Sequence, residues 1–153
     1  MLLGVHVTKE SHVLNNKKSV ADISMAIIRD LEKLDLNYAQ IFTHGPKNII
    51  ANKIDYDAVK KLSTNLVVHS AYPTVSIWKI KSLSDTLLLN KLEQQLQACQ
   101  KINAWGLVIH VSKIEPVIVA HVMTIIKPLA IKYNIKIILE MVASIANIKT
   151  TYE

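Results

Sequence analysis

The chain has 153 residues, half of them apolar, with a mean hydropathy of +0.25; that is enough for one domain with a buried core and too apolar for a disordered chain. Lysine and arginine outnumber aspartate and glutamate 18 to 12, giving a net charge of +6 and a pI near 9.4, which favours an anionic partner or surface. The single cysteine, Cys99, excludes an intrachain disulfide and suits a reducing compartment; no run of about 18 apolar residues marks a membrane span, and the opening MLLGVHVTKE lacks the basic start and the length of a secretory leader.

In chain order, Leu2–Val7 (LLGVHV) reads as a strand. Val20, Ile23, Ile27, Leu31 and Leu34 recur at helical spacing and predict an amphipathic helix. Tyr38–Thr43 (YAQIFT) reads as a second strand, ended by HGP at His44–Pro46. A short helix is predicted over Asp55–Leu62, and Leu66–His69 (LVVH) is the third strand. Ser84 and Asp85 suit the start of the next helix, whose stripe is Leu88, Leu92, Leu96 and Cys99. Cys99 on that stripe is a core thiol rather than a nucleophile. Leu107–Val111 (LVIHV) is strand four. Pro116 suits the first turn of a helix carrying Ile118, Val122, Ile125 and Leu129, with a kink or break expected at Pro128. Ile135–Glu140 (IKIILE) is strand five.

Near-continuous apolar strands alternating with amphipathic helices indicate an α/β fold with a parallel sheet covered by helices. The chain reads as a single domain over 1–153, without repeats or linkers. Two architectures fit the alternation. One is a doubly wound open sheet, complete with five strands. The other is the first five βα units of a TIM (β/α)8 barrel, an incomplete barrel with parallel strands, since a full one needs about 250 residues.

Four of the six histidines, His6, His44, His69 and His110, fall at or just past strand ends, and Glu140 ends the fifth strand. Both architectures build their sites at the C-terminal ends of strands. His69, His110 and Glu140 are spaced roughly one βα unit apart, so they arrive at equivalent heights on successive strands. Two neutral imidazoles and a carboxylate form a zinc set with an open fourth position. His12 and His121 lack such placement; His121 is expected on a helix surface and His12 in a loop.

Together these residues resemble endonuclease IV, the zinc-dependent apurinic/apyrimidinic (AP) endonucleases of AP endonuclease family 2, in the xylose-isomerase-like TIM-barrel group. GVHVT (Gly4–Thr8) resembles that family's opening strand. AQIFTHGPKN (Ala39–Asn48) is similar to its second strand and the DNA-contacting loop that follows. HSAY (His69–Tyr72) fits its H-x-x-Y, GLVIHVSKIEP (Gly106–Pro116) its fourth strand, and IILE (Ile137–Glu140) its fifth. The resemblance covers nearly the whole chain.

The resemblance implies a DNA-repair hydrolase that cleaves the phosphodiester 5′ to an abasic site in double-stranded DNA. It implies up to three Zn2+ ions, with His69, His110 and Glu140 as ligands of the first and Glu140 also catalytic. Tyr72 is expected to enter the base stack at the lesion. Lys47 is expected to face the phosphate backbone or the minor groove. His6, from its position alone, reads as a DNA-contacting group, a support for the site or simply a strand-end residue. Three features differ from the family pattern. Met141 stands where asparagine or threonine is usual, in a glycine-poor stretch, and Lys47 stands where arginine is usual. The ligands of the other two zincs, on strands six to eight, have no counterpart in this sequence. The resemblance therefore covers the N-terminal part of the family barrel, and a second chain completing the barrel is an expected partner. A membrane is not expected. The expected location is intracellular, whether cytoplasm, nucleus or viral particle. Two other functions fit the same residues: a metal-dependent sugar isomerase or epimerase of the same barrel group, and a non-catalytic DNA-binding remnant.

Overall fold

A computed structural model describes residues 4–7, 38–44, 56–60, 65–71, 77–111 and 113–141. Its strands are β1 (Gly4–Val7), β2 (Tyr38–Ile41), β3 (Asn65–His69), β4 (Gly106–Val111) and β5 (Lys136–Met141). The described helices are α1 (Tyr56–Lys60), α2 (Thr86–Lys101) and α3 (Pro116–Tyr133). The expected helix through Val20–Leu34 lies outside the described residues.

All pairings are parallel, and the strand order is β1-β2-β3-β4-β5. Each strand lies beside its predecessor, which decides between the two architectures. A doubly wound sheet reverses direction at a switch point, whereas a TIM-type barrel adds each βα unit on the same side. The chain folds as the first five strands of such a partial barrel.

Local sequence explains the element boundaries. Pro116 opens α3, where its missing N–H costs nothing. Asn134 closes it in the left-handed conformation, φ 53°, which asparagine tolerates. The Asp85 side chain does not cap α2. Its carboxylate instead accepts from the backbone N–H groups of Lys81 and Ser82, at 2.7 and 3.1 Å. Those bonds fold the preceding turn and hold the carboxyl below the ordinary aspartate range.

The expected break at Pro128 does not occur: α3 runs unbroken from Pro116 to Tyr133. The hydrogen bond that Pro128 cannot make belongs to the carbonyl of Thr124. Thr124 and Pro128 are both exposed, so water can serve that carbonyl. The buried stripe of α3 is also displaced from the expected one. Val122, Ile126, Ala130 and Tyr133 are buried, while Ile118 is exposed. By length and mean hydropathy (1.3) α3 could cross a membrane. Here it connects two adjacent parallel strands and packs on their sheet.

The core lies between sheet and helices. Leu66, Val68, Leu107 and Ile109 from the strands meet Leu92, Leu96 and Cys99 of α2 and Val122 and Ile126 of α3. Cys99 is buried, and burial pushes its thiol pKa up, so it stays protonated and inert. On the outside, Glu93 of α2 accepts from Lys132 Nζ at 2.8 Å and Tyr133 OH at 2.6 Å, tying α2 to the end of α3.

Gly106 begins β4 where β5 approaches closely. A Cβ there would meet Ile138 Cδ1 at 2.7 Å and the Lys136 carbonyl oxygen at 2.9 Å. The side chain can turn aside, but the backbone carbonyl cannot. Gly106→Ala should therefore destabilise the protein by about 1–3 kcal/mol, seen as a lower midpoint in urea unfolding with an unchanged slope.

Candidate metal centre

The sheet register brings three side chains together. His110 of β4 stands level with Glu140 of β5. His69 of β3 is level with Val108, two residues before His110. That offset is the stagger of a barrel, and it still leaves all three at the C-terminal ends of their strands.

His69 Nε2 lies 2.8 Å from His110 Nε2 and 3.5 Å from Glu140 Oε2, and His110 Nε2 lies 3.1 Å from the same carboxylate oxygen. His69 is 6% exposed, His110 23% and Glu140 47%. The centre is thus closed on the His69 side and open to solvent at Glu140. The two rings meet edge to face, with centroids 4.6 Å apart, and Phe42 covers His69 at 4.7 Å.

The tautomer of His69 follows from its partners. Its Nδ1 lies 2.8 Å from the Ser70 carbonyl oxygen, which only accepts, so Nδ1 carries the proton and Nε2 presents a lone pair. Without an ion, the short contact between the rings then needs the Nε2–H of His110 as donor; holding a metal through that nitrogen would require His110 to give up this proton or shift it to Nδ1. Burial holds the pKa of His69 below its ordinary value, while the bond to the Ser70 carbonyl opposes that shift. A neutral imidazole with an aimed lone pair is the form that binds a metal.

These three residues can hold a metal ion. The in-plane point equidistant from the three ligand atoms lies about 1.8 Å from each, so a point slightly out of their plane lies at the about 2.0–2.2 Å of zinc–nitrogen and zinc–oxygen bonds.

Two residues that the strand and stripe patterns did not single out frame this centre. Trp78, in a single helical turn at Ile77–Lys79, donates its Nε1–H to the His110 carbonyl at 2.8 Å. Gln95 of α2 is fully buried and accepts the Ala71 N–H on Oε1 at 2.8 Å. The signal for Gln95 was available: it interrupts the apolar face of α2 between Leu92 and Leu96. Trp78 offered none beyond being a tryptophan close to the strands.

Of the other expected residues, His6 stands in β1 opposite Gln40, and only its backbone position is described. Lys47, Tyr72 and His12 lie outside the described residues. His121 is exposed on α3 and donates to the Lys81 carbonyl at 3.0 Å. His44 is buried after β2, with its Nδ1 3.0 Å from the Thr43 hydroxyl. Burial lowers its pKa.

That burial fixes a pH dependence. The folded pKa of His44 lies below the unfolded 6.5, so the unfolded chain binds more protons as the pH falls below that value. Its contribution to stability is complete above the unfolded pKa and is lost as pH drops through the folded one. Denaturant midpoints should therefore fall as the pH is lowered below about 6.5, and His44→Gln should make that fall shallower.

No protein family matches the chain, and no curated protein matches it. Solved structures do. The crystal structure of AsfvAP:AG, from African swine fever virus, aligns with a TM-score of 0.61 at 18% identity, over 90% of this chain and 46% of that one. A D-tagatose 3-epimerase-like protein aligns with a TM-score of 0.50 at 16% identity, over 91% of this chain and 52% of that one. The chain spans about half the length of either structure, and what it shares with both is the fold, that of part of a TIM barrel.

Proposed function

We propose that this chain carries the first metal site of an abasic-site endonuclease, a hydrolase that cuts the phosphodiester 5′ to a missing base and leaves a 3′-hydroxyl. The observation that carries the reading is the convergence of His69, His110 and Glu140 within 3.5 Å of one another at three adjacent strand ends. AsfvAP, one of the structural neighbours, is an AP endonuclease, which supports DNA as the substrate class. So does the net charge of +6, since phosphate contacts supply most of the affinity for DNA.

In this reading His69, His110 and Glu140 hold a zinc ion. When bound, zinc activates water for attack and stabilises charge on the phosphate. The protein's own part is to present its ligands correctly. Ser70 keeps the His69 proton on Nδ1, so the lone pair at Nε2 stays aimed at the centre. Phe42 and the buried strand end shield that side from water. Glu140, the exposed member, faces the open side from which a phosphate approaches; it would hold the ion through Oε2 and leave Oε1 as the oxygen able to accept a proton from water. Tyr72, three residues after His69, wedges the stack where the base is missing, and Lys47 and His6 contact the DNA. A second chain would supply the strands beyond β5, pairing along the edge where Leu139 and Met141 are exposed.

A second reading has its own support. The D-tagatose 3-epimerase-like neighbour points to a sugar isomerase or epimerase, whose small polar substrates need no basic surface. One experiment separates the two. Purified protein is incubated with a duplex carrying one abasic-site analogue, with zinc or with chelator, beside His69→Ala, and a parallel reaction offers ketohexoses. Zinc-dependent nicking that is lost in His69→Ala is the expected result. Salt-sensitive binding without nicking would identify a DNA-binding remnant, and epimerised sugar would replace the endonuclease reading.

A further inference from the structure

The chain leaves β3 at His69 and must be steered within two residues. Ser70 continues the sheet ladder, its N–H donating to the Val108 carbonyl at 2.9 Å. Ala71 then turns away from β4, and its N–H finds Gln95 Oε1 at 2.8 Å. Gln95 is among the largest fully buried side chains, on the face of α2 that otherwise holds Leu92, Leu96 and Cys99. A polar amide in that position carries a desolvation cost. Its Nε2–H is directed to the Lys91 carbonyl of its own helix at 3.2 Å, which orients the amide so that its oxygen faces Ala71.

A second bond acts on the neighbouring strand. Trp78 Nε1–H donates to the carbonyl of His110 itself, at 2.8 Å, from an indole buried in the core. Both tethers come from chain between β3 and β4, and they hold the ends of those two strands. His69 and His110 stand on those ends.

We propose that Gln95 is a positioning residue of the metal centre: its buried amide fixes the backbone at Ala71, and through it the imidazole of His69. Trp78 does the same for His110. This rests on the reading of His69, His110 and Glu140 as ligands, but the tether itself is independent of any ion. Loss of the amide should free the end of β3, let the His69 ring leave the Ser70 carbonyl, and misalign Nε2.

The test uses the whole chain with Gln95→Leu, Gln95→Glu and Trp78→Phe. Gln95→Glu keeps an acceptor for Ala71 and, as a neutral acid, a donor for Lys91. Two readouts are taken on each protein. One is the dissociation constant for zinc, by competition with a chromophoric chelator, together with the visible spectrum of the cobalt-loaded protein. The other, without metal, is the nitrogen-15 shift of the His69 ring, which reports its tautomer. Gln95→Leu should bind zinc about tenfold or more weakly, alter the cobalt spectrum, and lose the Nδ1–H tautomer of His69. Gln95→Glu should restore all three, and Trp78→Phe should weaken zinc binding while leaving the His69 tautomer in place.

A merely structural Gln95 would lower the melting temperature and leave the affinity, spectrum and tautomer of the folded protein unchanged, which would overturn the inference. If the wild-type protein binds no zinc but Gln95→Leu still shifts the His69 tautomer, the tether stands and the ligand reading falls. If Gln95→Leu does not fold, Gln95→Met, of similar length but without the amide, takes its place: weaker zinc binding with a lost Nδ1–H tautomer supports the tether, and unchanged affinity and tautomer overturn it.

Discussion

Replacing His69, His110 or Glu140 by alanine should each remove tight zinc binding. The wild-type chain is expected to take up about one zinc, and each variant to bind more than about 100-fold more weakly, because a three-ligand site that loses one ligand keeps too few to displace water from the ion. Zinc at about 100 times its dissociation constant should stabilise the wild type by about 2.7 kcal/mol and leave the variants unmoved. Thermal unfolding with and without zinc reads this directly. His121→Ala is the control, since His121 is exposed on α3 and hydrogen-bonded to Lys81, away from the centre. Equal zinc content in all four variants would remove these residues from consideration as ligands. Among them, Glu140→Ala should alter apo stability least, because that side chain is the most exposed of the three.

Truncation of Leu96 should have the largest effect on folding itself. Leu96 is 0% exposed, on the face of α2 that meets the strands. Leu96→Ala should cost about 3 kcal/mol, combining lost transfer energy with the cavity left behind. At this chain length that is a fall of about 6–12 °C in melting temperature. Leu87→Ala on the same helix, at a position 68% exposed, should stay within about 0.5 kcal/mol of wild type. Equal losses at both positions would mean that α2 does not bury the face described here.

The contrast between Leu96 and Leu87 also shows which parts of the structure were legible beforehand. The stripe through Leu92, Leu96 and Cys99 was readable from spacing, because an amphipathic helix must repeat its buried face every three or four residues. The strands were readable for a related reason. Those of a parallel sheet are covered on both sides and appear as apolar runs, so each expected strand and the observed one share most of their residues. Strand order was not readable from pattern, since open sheet and barrel use the same alternation; it needed the pairings themselves. On α3 the apolar residues nearly encircle the helix, so spacing did not single out the buried face, and Ile126 and Ala130 were missed. The effect of Pro128 depended on whether its orphaned carbonyl could reach water, which is a property of the packed structure.

For the site, three residues at matching strand ends could be found because the side chains of a βα repeat return to the same height. Their separations of 2.8 to 3.5 Å depend on register and stagger, which single-residue patterns do not encode. Trp78 was hidden for a different reason, and Gln95, although visible as a break in the apolar face of α2, gave no sign of its role. Each acts on a backbone group rather than on a side chain, so no residue-type motif announces it.

The plain sequential order of the strands has a consequence for how the protein comes into being. His69, His110 and Glu140 belong to one continuous stretch of polypeptide, and each is delivered by the strand laid down directly after the last. As the chain emerges from the ribosome, β3 can pair with β2, then β4 with β3, then β5 with β4, and no step waits for a distant segment. The centre is complete when Glu140 clears the exit tunnel. An ion held there would clasp β3, β4 and β5 to one another as soon as they have paired.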